Sequence, residues 1–197
     1  MYMRRGKNKN RIAIIGHTKG IGKAIAKLYK KKGFEVVGLS RSNGYDLENK
    51  QEDIIKKLEN CHLIVVNAYA GRGQFELLKR IYGAFHNEYK KVAVITSTSG
   101  TPAGKDDSSP FAVSADYGWY CWHKENLIRY ISELQEELFH KPLSVYDICP
   151  DVVDTDMIKG MWQELPKLKT HEVADAVRYC FESPFNINKL VLQKNAR

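Results

Sequence analysis

The feature that most constrains the fold of this chain is a glycine-rich segment between a strand-like run and a helix-like run. Residues 11–15 form a short apolar run that is typical of a buried strand. Gly16, Gly20 and Gly22 follow, and residues 20–32 place apolar side chains on one face of a helix. Glycines at such a junction let the backbone turn sharply and approach a phosphate group, whose charge is met by the helix N-terminus. The segment therefore predicts a phosphate-binding turn at the start of an α/β unit.

The same alternation continues along the chain. Further strand-like segments are residues 35–40, 45–47, 62–67, 91–97, 143–149 and 189–192. Further helix-like segments are residues 50–60, 74–89, 117–139 and 171–182. Strands that alternate with helices indicate a parallel sheet covered on both faces. We therefore predict an α/β protein with a single-domain Rossmann fold, in which helices cover both faces of a parallel, doubly wound sheet of about seven strands.

The positive charge of the chain is concentrated near its beginning. The net charge is +8 over 197 residues, a length that fits one domain. Residues 1–11 contain no acid and five basic residues, namely Arg4, Arg5, Lys7, Lys9 and Arg11. A basic tail on a nearly neutral body is usually solvated, so nucleic acid is not expected as a partner. We assign residues 1–10 to a basic flexible tail and residues 11–197 to the folded domain.

Composition also argues against membrane, disulfide and metal-site classes. No apolar run approaches the roughly 20 residues that cross a bilayer, and no secretory signal pattern is present, so we expect a cytoplasmic protein with no membrane segment. The six histidines have no ligand spacing with the cysteines, which stand apart as Cys61, Cys121, Cys149 and Cys180. We therefore expect neither a disulfide framework nor a metal site.

Two basic side chains indicate which dinucleotide the glycine-rich turn would bind. Lys19 lies within the turn, and Arg41 follows the second predicted strand, where the adenosine ribose lies in this fold. An acid at that place bonds the 2′-hydroxyl of NAD, whereas an arginine accommodates the 2′-phosphate of NADP. Ser40 and Ser42 flank Arg41, and no acid follows before Asp46. The sequence therefore favours NADP(H) over NAD(H) as the cofactor.

A second constellation points to proton transfer. Tyr120 and Lys124 are four residues apart at the start of a long predicted helix and so share one face of it, while Ser97 ends a predicted strand. The spacing alone carries little information in a chain with 11 tyrosines, and its position in the fold carries more. A nearby ammonium lowers the pKa of a phenol, which can then exchange a proton with a carbonyl or alcohol oxygen. Ser97, Tyr120 and Lys124 are the predicted catalytic residues, with Ser99 as an alternative to Ser97.

With these features, the sequence resembles the short-chain dehydrogenase/reductase family from Arg11 to about Gln193. The segment Gly16–Gly22 is similar to the family's T-G-x-x-x-G-x-G pattern, with Ile15 in place of the threonine. Residues 95–100 resemble the family's segment that holds the catalytic serine. That serine falls on Ser97, and Tyr120 and Lys124 match the catalytic tyrosine and lysine.

The resemblance implies roles for further residues around the cofactor. Residues 149–157 are similar to the P-G-x-V-x-T-x-M segment, so Val153 and Thr155 would contact the nicotinamide carboxamide. Asp46 would match the acid that meets the adenine, and residues 67–71 approximate the N-N-A-G segment. The predicted cofactor-binding residues are Gly16, Thr18, Lys19, Gly20, Ile21, Gly22, Arg41, Asp46, Asn67, Ala68, Tyr120, Lys124, Pro150, Val153 and Thr155.

The sequence also departs from the family pattern. Asp151 replaces the glycine after the proline, and the family's catalytic asparagine has no clear match. Alignment on Gly83 puts Arg80 at that position, and a shifted helix would offer Asn87. The resemblance implies a homo-oligomer, a dimer or tetramer. Bulky residues 121–123 argue against the usual dimer mode.

Two functional hypotheses follow. The first is an NADP(H)-dependent oxidoreductase that interconverts a carbonyl and an alcohol on a small substrate through Ser97, Tyr120 and Lys124. The second is a catalytically weak or inactive NADP(H)-binding regulatory protein on the same fold. The long loop at residues 98–116 and the segment at 157–167 are expected to determine which substrate enters.

Overall fold

The computed structural model describes residues 10–102 and 115–195. Within these residues the chain forms six strands: β1 (Arg11–Ile15), β2 (Glu35–Leu39), β3 (Leu63–Val66), β4 (Lys91–Ile95), β5 (Ser144–Pro150) and β6 (Lys189–Leu192). The same residues form five α-helices: α1 (Gly20–Lys31), α2 (Gln51–Leu58), α3 (Gly73–Phe85), α4 (Ala115–Glu137) and α5 (Thr170–Glu182). Strands and helices alternate as the sequence predicts.

The six strands form one sheet in the order β2-β1-β3-β4-β5-β6, and every neighbouring pair is parallel. β1, β3, β4 and β5 consist largely of apolar residues with almost no exposure. Such continuous apolar strands are stable only when both faces of the sheet are covered. The order of strands reverses between β1 and β3, which is the place where doubly wound folds bind ligands.

Alternate side chains of each strand pack into two separate cores. On one face, Ala13 and Ile15 join an apolar cluster with residues of α2, α3 and α4. On the other face, Ile12 and Ile14 join a cluster with residues of α1 and α5. The predicted Rossmann fold with helices on both faces is therefore confirmed.

The segment Tyr45–Leu47 is not a strand, so the sheet of the described residues has six strands and not about seven. The amide of Tyr45 bonds back to the carbonyl of Ser40, which closes a turn, and Leu47 is buried in the apolar cluster that also contains residues of α2 and α3. The apolar residues there correctly predicted a buried segment, but the segment is too short to pair with a neighbouring strand in a defined register.

Two predicted segments lie outside the described residues in large part. Of the basic tail at 1–10, the structure describes Asn10, whose carbonyl accepts a hydrogen bond from the amide of Glu35. Of the loop at 98–116, residues 103–114 are not described. Its first part is a short 3-10 turn, Thr98–Gly100, and its end is already the first turn of α4.

The described part of the chain contains no helix both long and apolar enough to cross a bilayer. Over residues 10–102 and 115–195, no three His, Cys, Asp or Glu side chains come together as metal ligands. The four cysteines are buried, and none forms a disulfide within the described part of the chain.

Candidate functional site

A cavity of about 1200 Å³ lies at the carboxyl ends of the strands. Its floor comes from the residues at which β1, β4 and β5 end, namely Ile15, Ile95 and Pro150. Cavities for drug-sized ligands measure roughly 300–1,000 Å³. This one is therefore large enough for a dinucleotide and a small second molecule.

The structure brings most of the predicted site residues into this one cavity. Its lining includes Ser97, Tyr120, Lys124, Gly16, Thr18, Lys19, Gly20, Ile21, Arg41, Asn67, Ala68, Pro150, Val153 and Thr155. Two predicted cofactor-binding residues, Gly22 and Asp46, do not line it. The carboxylate of Asp46 instead accepts a hydrogen bond from the amide of Glu48 at 2.7 Å.

The glycine-rich turn is closed by very short backbone approaches. Gly16 has a φ of +87°, and a Cβ there would lie 2.8 Å from the amide nitrogen of Ala68. A Cβ on Gly22 would lie 2.0 Å from the carbonyl oxygen of Gly16. The side-chain amide of Asn67 donates to that same oxygen at 3.0 Å, which ties the end of β3 to the turn. Gly22 therefore acts on the shape of the turn rather than on a ligand directly.

The first turn of α1 leaves its amide groups open to the cavity. No side chain caps this helix end, and no acidic residue lies in its first turn. The unpaired amide groups of a helix N-terminus carry a partial positive charge that suits an anion. A tight glycine turn whose backbone faces such a helix end fits the pyrophosphate of a dinucleotide.

Arg41 lines the cavity just after the edge strand β2, whereas Ser97 follows β4 further along the sheet. A compact polar turn fixes its backbone: the Ser40 amide donates to Oδ1 of Asn43 at 2.8 Å, and the Asn43 side chain donates to the carbonyl of Gly38 at 2.8 Å. Together with Lys19, Arg41 gives the cavity two basic residues on the side of the glycine turn.

Ser97 and Tyr120 meet in the cavity lining just after β4. Ser97 caps the 3-10 turn after β4, where its hydroxyl accepts a hydrogen bond from the amide of Ser99, and it also bonds Tyr120. Gly100 makes this contact reachable, because a Cβ there would lie 2.6 Å from the backbone of Lys124. The turn after β4 can therefore pack directly against α4. Sequence reasoning missed Gly100, although a glycine three residues after a predicted catalytic serine is a visible signal.

The expected lowering of the pKa of Tyr120 by Lys124 is not found in this structure. Burial raises the pKa of Tyr120 to about 12, and the hydrogen bond with Ser97 opposes that rise. Lys124 lies 5.6 Å from the centre of the Tyr120 ring. Burial also lowers the pKa of Lys124 to about 7, against the attraction of Asp147, so the amine brings less positive charge than expected. Desolvation outweighs the lysine at the phenol.

The amine of Lys124 is held by groups that sequence reasoning missed. Its Nζ donates to Oε1 of Gln74 at 2.8 Å and to the carbonyl of Ile95 at 3.0 Å. Gln74 is 2% exposed and shares the inner face of α3 with Leu77 and Ile81. A polar residue within an apolar helical stripe is the sequence signal that could have identified it.

Neither suggested match for the family's asparagine lies near this group. Arg80 is on the outer side of α3, 3.9 Å from Glu52, and Asn87 follows the end of α3 and bonds His86. Ser99, the alternative to Ser97, also lines the cavity, and its hydroxyl accepts hydrogen bonds from Ser97 and Tyr117.

One part of the remaining cavity wall is apolar and aromatic. The Tyr117 ring lies 5.8 Å from that of Trp162 and 6.3 Å from that of Tyr120. Met157, Ile158, Met161 and Leu165 line the cavity beyond them. His123 lies outside the lining and bonds the hydroxyl of Tyr69 at 3.0 Å.

These features define a class: a doubly wound nucleotide-binding fold with a glycine turn and a serine–tyrosine–lysine group in one cleft. No family model matches the chain. A human protein, 3-oxoacyl-[acyl-carrier-protein] reductase, is 25% identical in an alignment of 218 positions that covers 88% of this chain and 91% of that protein. The chain is thus similar to this reductase over most of its length, and its fold and motifs resemble those of the short-chain dehydrogenase/reductase family.

Solved structures share the fold at lower identity. One is a 3-ketoacyl-(acyl-carrier-protein) reductase from Brucella melitensis complexed with NADH, with a TM-score of 0.75 and 16% identity; the match covers 94% of this chain and 96% of that chain. Another is a short-chain dehydrogenase from Burkholderia cenocepacia J2315 in complex with NADP, with a TM-score of 0.74 and 15% identity; that match covers 93% and 88%. At these identities the likeness concerns the fold.

Proposed function

We propose that this protein is an NADP(H)-dependent oxidoreductase that interconverts a carbonyl and an alcohol on a small substrate. The observation that carries the proposal is the shared cavity: Ser97, Tyr120 and Lys124 line the same space as Gly16 and Gly20 of the glycine turn. A dinucleotide with its pyrophosphate at that turn has its reactive ring toward the carboxyl ends of the central strands in this fold. The substrate carbonyl would then lie beside Ser97 and Tyr120.

The chemistry follows from the state of these side chains. The bound nicotinamide supplies or accepts the hydride. Tyr120, protonated at neutral pH by virtue of its raised pKa, donates its proton to the carbonyl oxygen during reduction. The hydroxyl of Ser97 donates a hydrogen bond to the same oxygen and holds it in place. Lys124 in its charged form stabilises the phenolate that Tyr120 leaves behind.

The relatives support the reaction class. The human relative and the Brucella melitensis protein are named as reductases of 3-oxoacyl or 3-ketoacyl groups on acyl carrier protein. We extend to this chain only the reduction of a carbonyl group. The preference for NADP(H) is supported by Lys19 and Arg41 in the cavity lining.

Tyr120→Phe is the direct test of this function. Removal of the hydroxyl takes away the proton donor but keeps the ring, so turnover should fall at least 10²-fold while NADPH binding stays near that of the unaltered protein. The measurement is NADPH oxidation over a broad panel of aldehydes and ketones, with NADPH affinity from fluorescence titration. Tyr179→Phe is the matched control, since Tyr179 is exposed on α5.

The same experiment decides between the two hypotheses. Full activity of Tyr120→Phe on a true substrate contradicts the assigned mechanism. If the unaltered protein binds NADPH tightly and turns over no member of the panel, the regulatory alternative is supported. The burial that lowers the pKa of Lys124 to about 7, and so reduces its positive charge at neutral pH, is the observation that favours that alternative.

A further inference from the structure

Gln74 is a buried amide with every polar atom engaged. Its Nε2 donates to the carbonyl of Val66 at 3.0 Å and to that of Ile95 at 2.9 Å, and its Oε1 accepts from Lys124. Backbone carbonyls only accept hydrogen bonds, so the side chain has one orientation: a flipped amide would set its oxygen against two carbonyl oxygens. Gln74 therefore spans the ends of β3 and β4 and presents an acceptor to Lys124.

The hydrogen bonds of Lys124 determine which side of its nitrogen atom gains and loses the proton. The two partners of Nζ, Gln74 Oε1 and the Ile95 carbonyl, are both acceptors. An ammonium group has three donors, and a neutral amine has two donors and a lone pair. Two N–H groups are thus engaged in either state. The third position, which gains and loses the proton, is the one left for the cavity that Lys124 lines.

We propose that Gln74 is a positioning residue that fixes two N–H groups of Lys124 and thereby directs the titrating position of the amine into the cavity. The consequence for catalysis rests on the proposed function, because only there does Lys124 act on a reacting group. The placement itself belongs to the folded chain and can be measured without cofactor or substrate.

Several other groups face the same amine from the elements packed around it. Asp147 and Cys149 lie on β5, Tyr69 lies after β3 with its ring 5.6 Å from Nζ, and Tyr120 and His123 are on α4 itself. Asp147 favours the charged amine, whereas burial disfavours it. None of these groups is altered by a change at Gln74, so a change there isolates its own contribution.

Two substitutions at this position should move the titration of Lys124 in opposite directions. Gln74→Met keeps the length but removes the acceptor, and since acceptors stabilise an ammonium more than an amine, the pKa of Lys124 should fall by about one unit. Gln74→Glu adds a second ionisable group, and the pair should lose its last proton at a pH higher by about one to three units.

The measurement is a pH titration of the protein without cofactor by NMR, with ¹³C-labelled lysine. Lys124 is identified as the titrating signal that disappears in Lys124→Met. Gln135→Met is the matched control, because the side chain of Gln135 likewise bridges two backbone carbonyls, those of Val145 and Asn188, but Lys124 has no bond to it. It should leave the titration of Lys124 unchanged.

Opposite shifts in the two variants, with the control unchanged, support the proposal. An unchanged titration in both variants, or a shift of both in the same direction, overturns it; if Gln74→Met does not fold, Gln74→Glu decides. The pH dependence of NADPH oxidation should move with the lysine signal. Should the lysine shift as expected in a protein that turns over no carbonyl substrate, the positioning role stands and the proposed function fails.

Discussion

Lys124 brings an ionisable amine into a site where its side chain is 3% exposed. Burial lowers its pKa in the folded protein from 10.5 to about 7, while the unfolded chain keeps the ordinary value. Between these two values the unfolded state binds one more proton than the folded state, so rising pH favours folding. The effect is at most about 1.4 kcal/mol per pH unit, because one pKa unit corresponds to that free energy.

We therefore expect the free energy of unfolding to show a contribution from Lys124 that increases between pH 7 and pH 9. The comparison is urea denaturation of the unaltered protein and of Lys124→Met at several pH values. Met fills the same space without a titrating group, so the difference between the two proteins should change with pH in favour of the unaltered protein. A difference that stays constant over this range would mean that the lysine keeps its ordinary pKa.

The residues of the site were predictable to different degrees. Ser97, Tyr120 and Lys124 could be found because each is a chemically distinctive residue at a predicted strand end or helix start. Gln74 could not be assigned to Lys124, since the contact joins residues 50 positions apart. The pKa of Tyr120 was predicted in the wrong direction, because the sequence shows the neighbouring lysine but not the burial of both groups.

At the scale of elements, the end of α2 depends on a lysine outside it. Lys90 is 3% exposed, and its Nζ donates to the carbonyls of Leu58, Glu59 and Cys61 at 3.2, 2.7 and 3.1 Å. Leu58 is the last residue of α2, and Glu59 and Cys61 follow it, so these carbonyls lie at and just beyond the C-terminal end of the helix, where carbonyls need partners from outside it. Lys90 precedes β4, so this one side chain fixes α2 to the sheet.

Lys90→Met should lower the free energy of unfolding by about 2–4 kcal/mol, because it leaves these carbonyls without their charged donor. The measurement is chemical denaturation followed by far-UV circular dichroism. Lys56→Met serves as the control, since Lys56 is exposed on α2 itself, and it should change stability by less than about 0.5 kcal/mol. Equal effects of the two substitutions would show that Lys90 does not hold the helix end.

Two glycines, Gly22 in the first turn of α1 and Gly83 in α3, should respond in opposite ways to substitution by alanine. Gly22→Ala forces a Cβ into the carbonyl of Gly16 and should both destabilise the fold and reduce NADPH affinity at least tenfold. Gly83 lies in the last turn of α3, and a Cβ there would meet no atom within 4 Å. Gly83→Ala should therefore raise stability by up to about 1 kcal/mol, the difference in helix propensity.

Thermal unfolding and a binding titration on both variants check this contrast. Normal NADPH affinity in Gly22→Ala would show that the turn does not form the pyrophosphate site.

The positions of the strands and helices were predicted well from the sequence, because the two kinds of element differ here in the period of their apolar residues. The prediction failed at Tyr45–Leu47, where Leu47 is buried in the apolar cluster with residues of α2 and α3 rather than in a strand.

At the scale of the whole molecule, the cavity joins loops from nearly all strands, so a ligand that fills it should stabilise the entire fold. A ligand present at 100 times its dissociation constant adds about 2.7 kcal/mol. We expect NADPH to raise the unfolding temperature more than NADH at equal concentration, because Arg41 and Lys19 can meet the extra phosphate.

Arg41→Ala should remove most of the difference between the two cofactors and leave the effect of NADH nearly unchanged. Arg129→Ala, on the exposed side of α4, is the control and should preserve the difference. The measurement is differential scanning fluorimetry over a range of cofactor concentrations. A larger shift with NADH than with NADPH in the unaltered protein contradicts the assigned cofactor preference.

The architecture was predictable from the order of elements, because right-handed crossovers between parallel strands leave few possible arrangements of the sheet.

The predicted dimer or tetramer would involve exposed surfaces such as the outer side of α4, where Trp119 and Trp122 are 61% and 43% exposed. Trp119 and Trp122 pack edge to face against each other, Trp119 stacks on His123, and neither tryptophan lines the cavity. Trp122 is therefore a surface residue outside the cavity lining, and His123 also lies outside that lining, whereas Cys121 is buried.

The reactivity of the four buried thiols can report which part of the folded chain opens. Burial raises the pKa of Cys61, Cys149 and Cys180, so these groups react slowly even with small alkylating reagents while the chain is closed. Cys149 directly precedes Pro150 in the cavity floor, whereas Cys61 and Cys180 lie in the two separate cores. Mass spectrometry of alkylation over time would thus distinguish local breathing of the cleft from separation of either helical layer from the sheet.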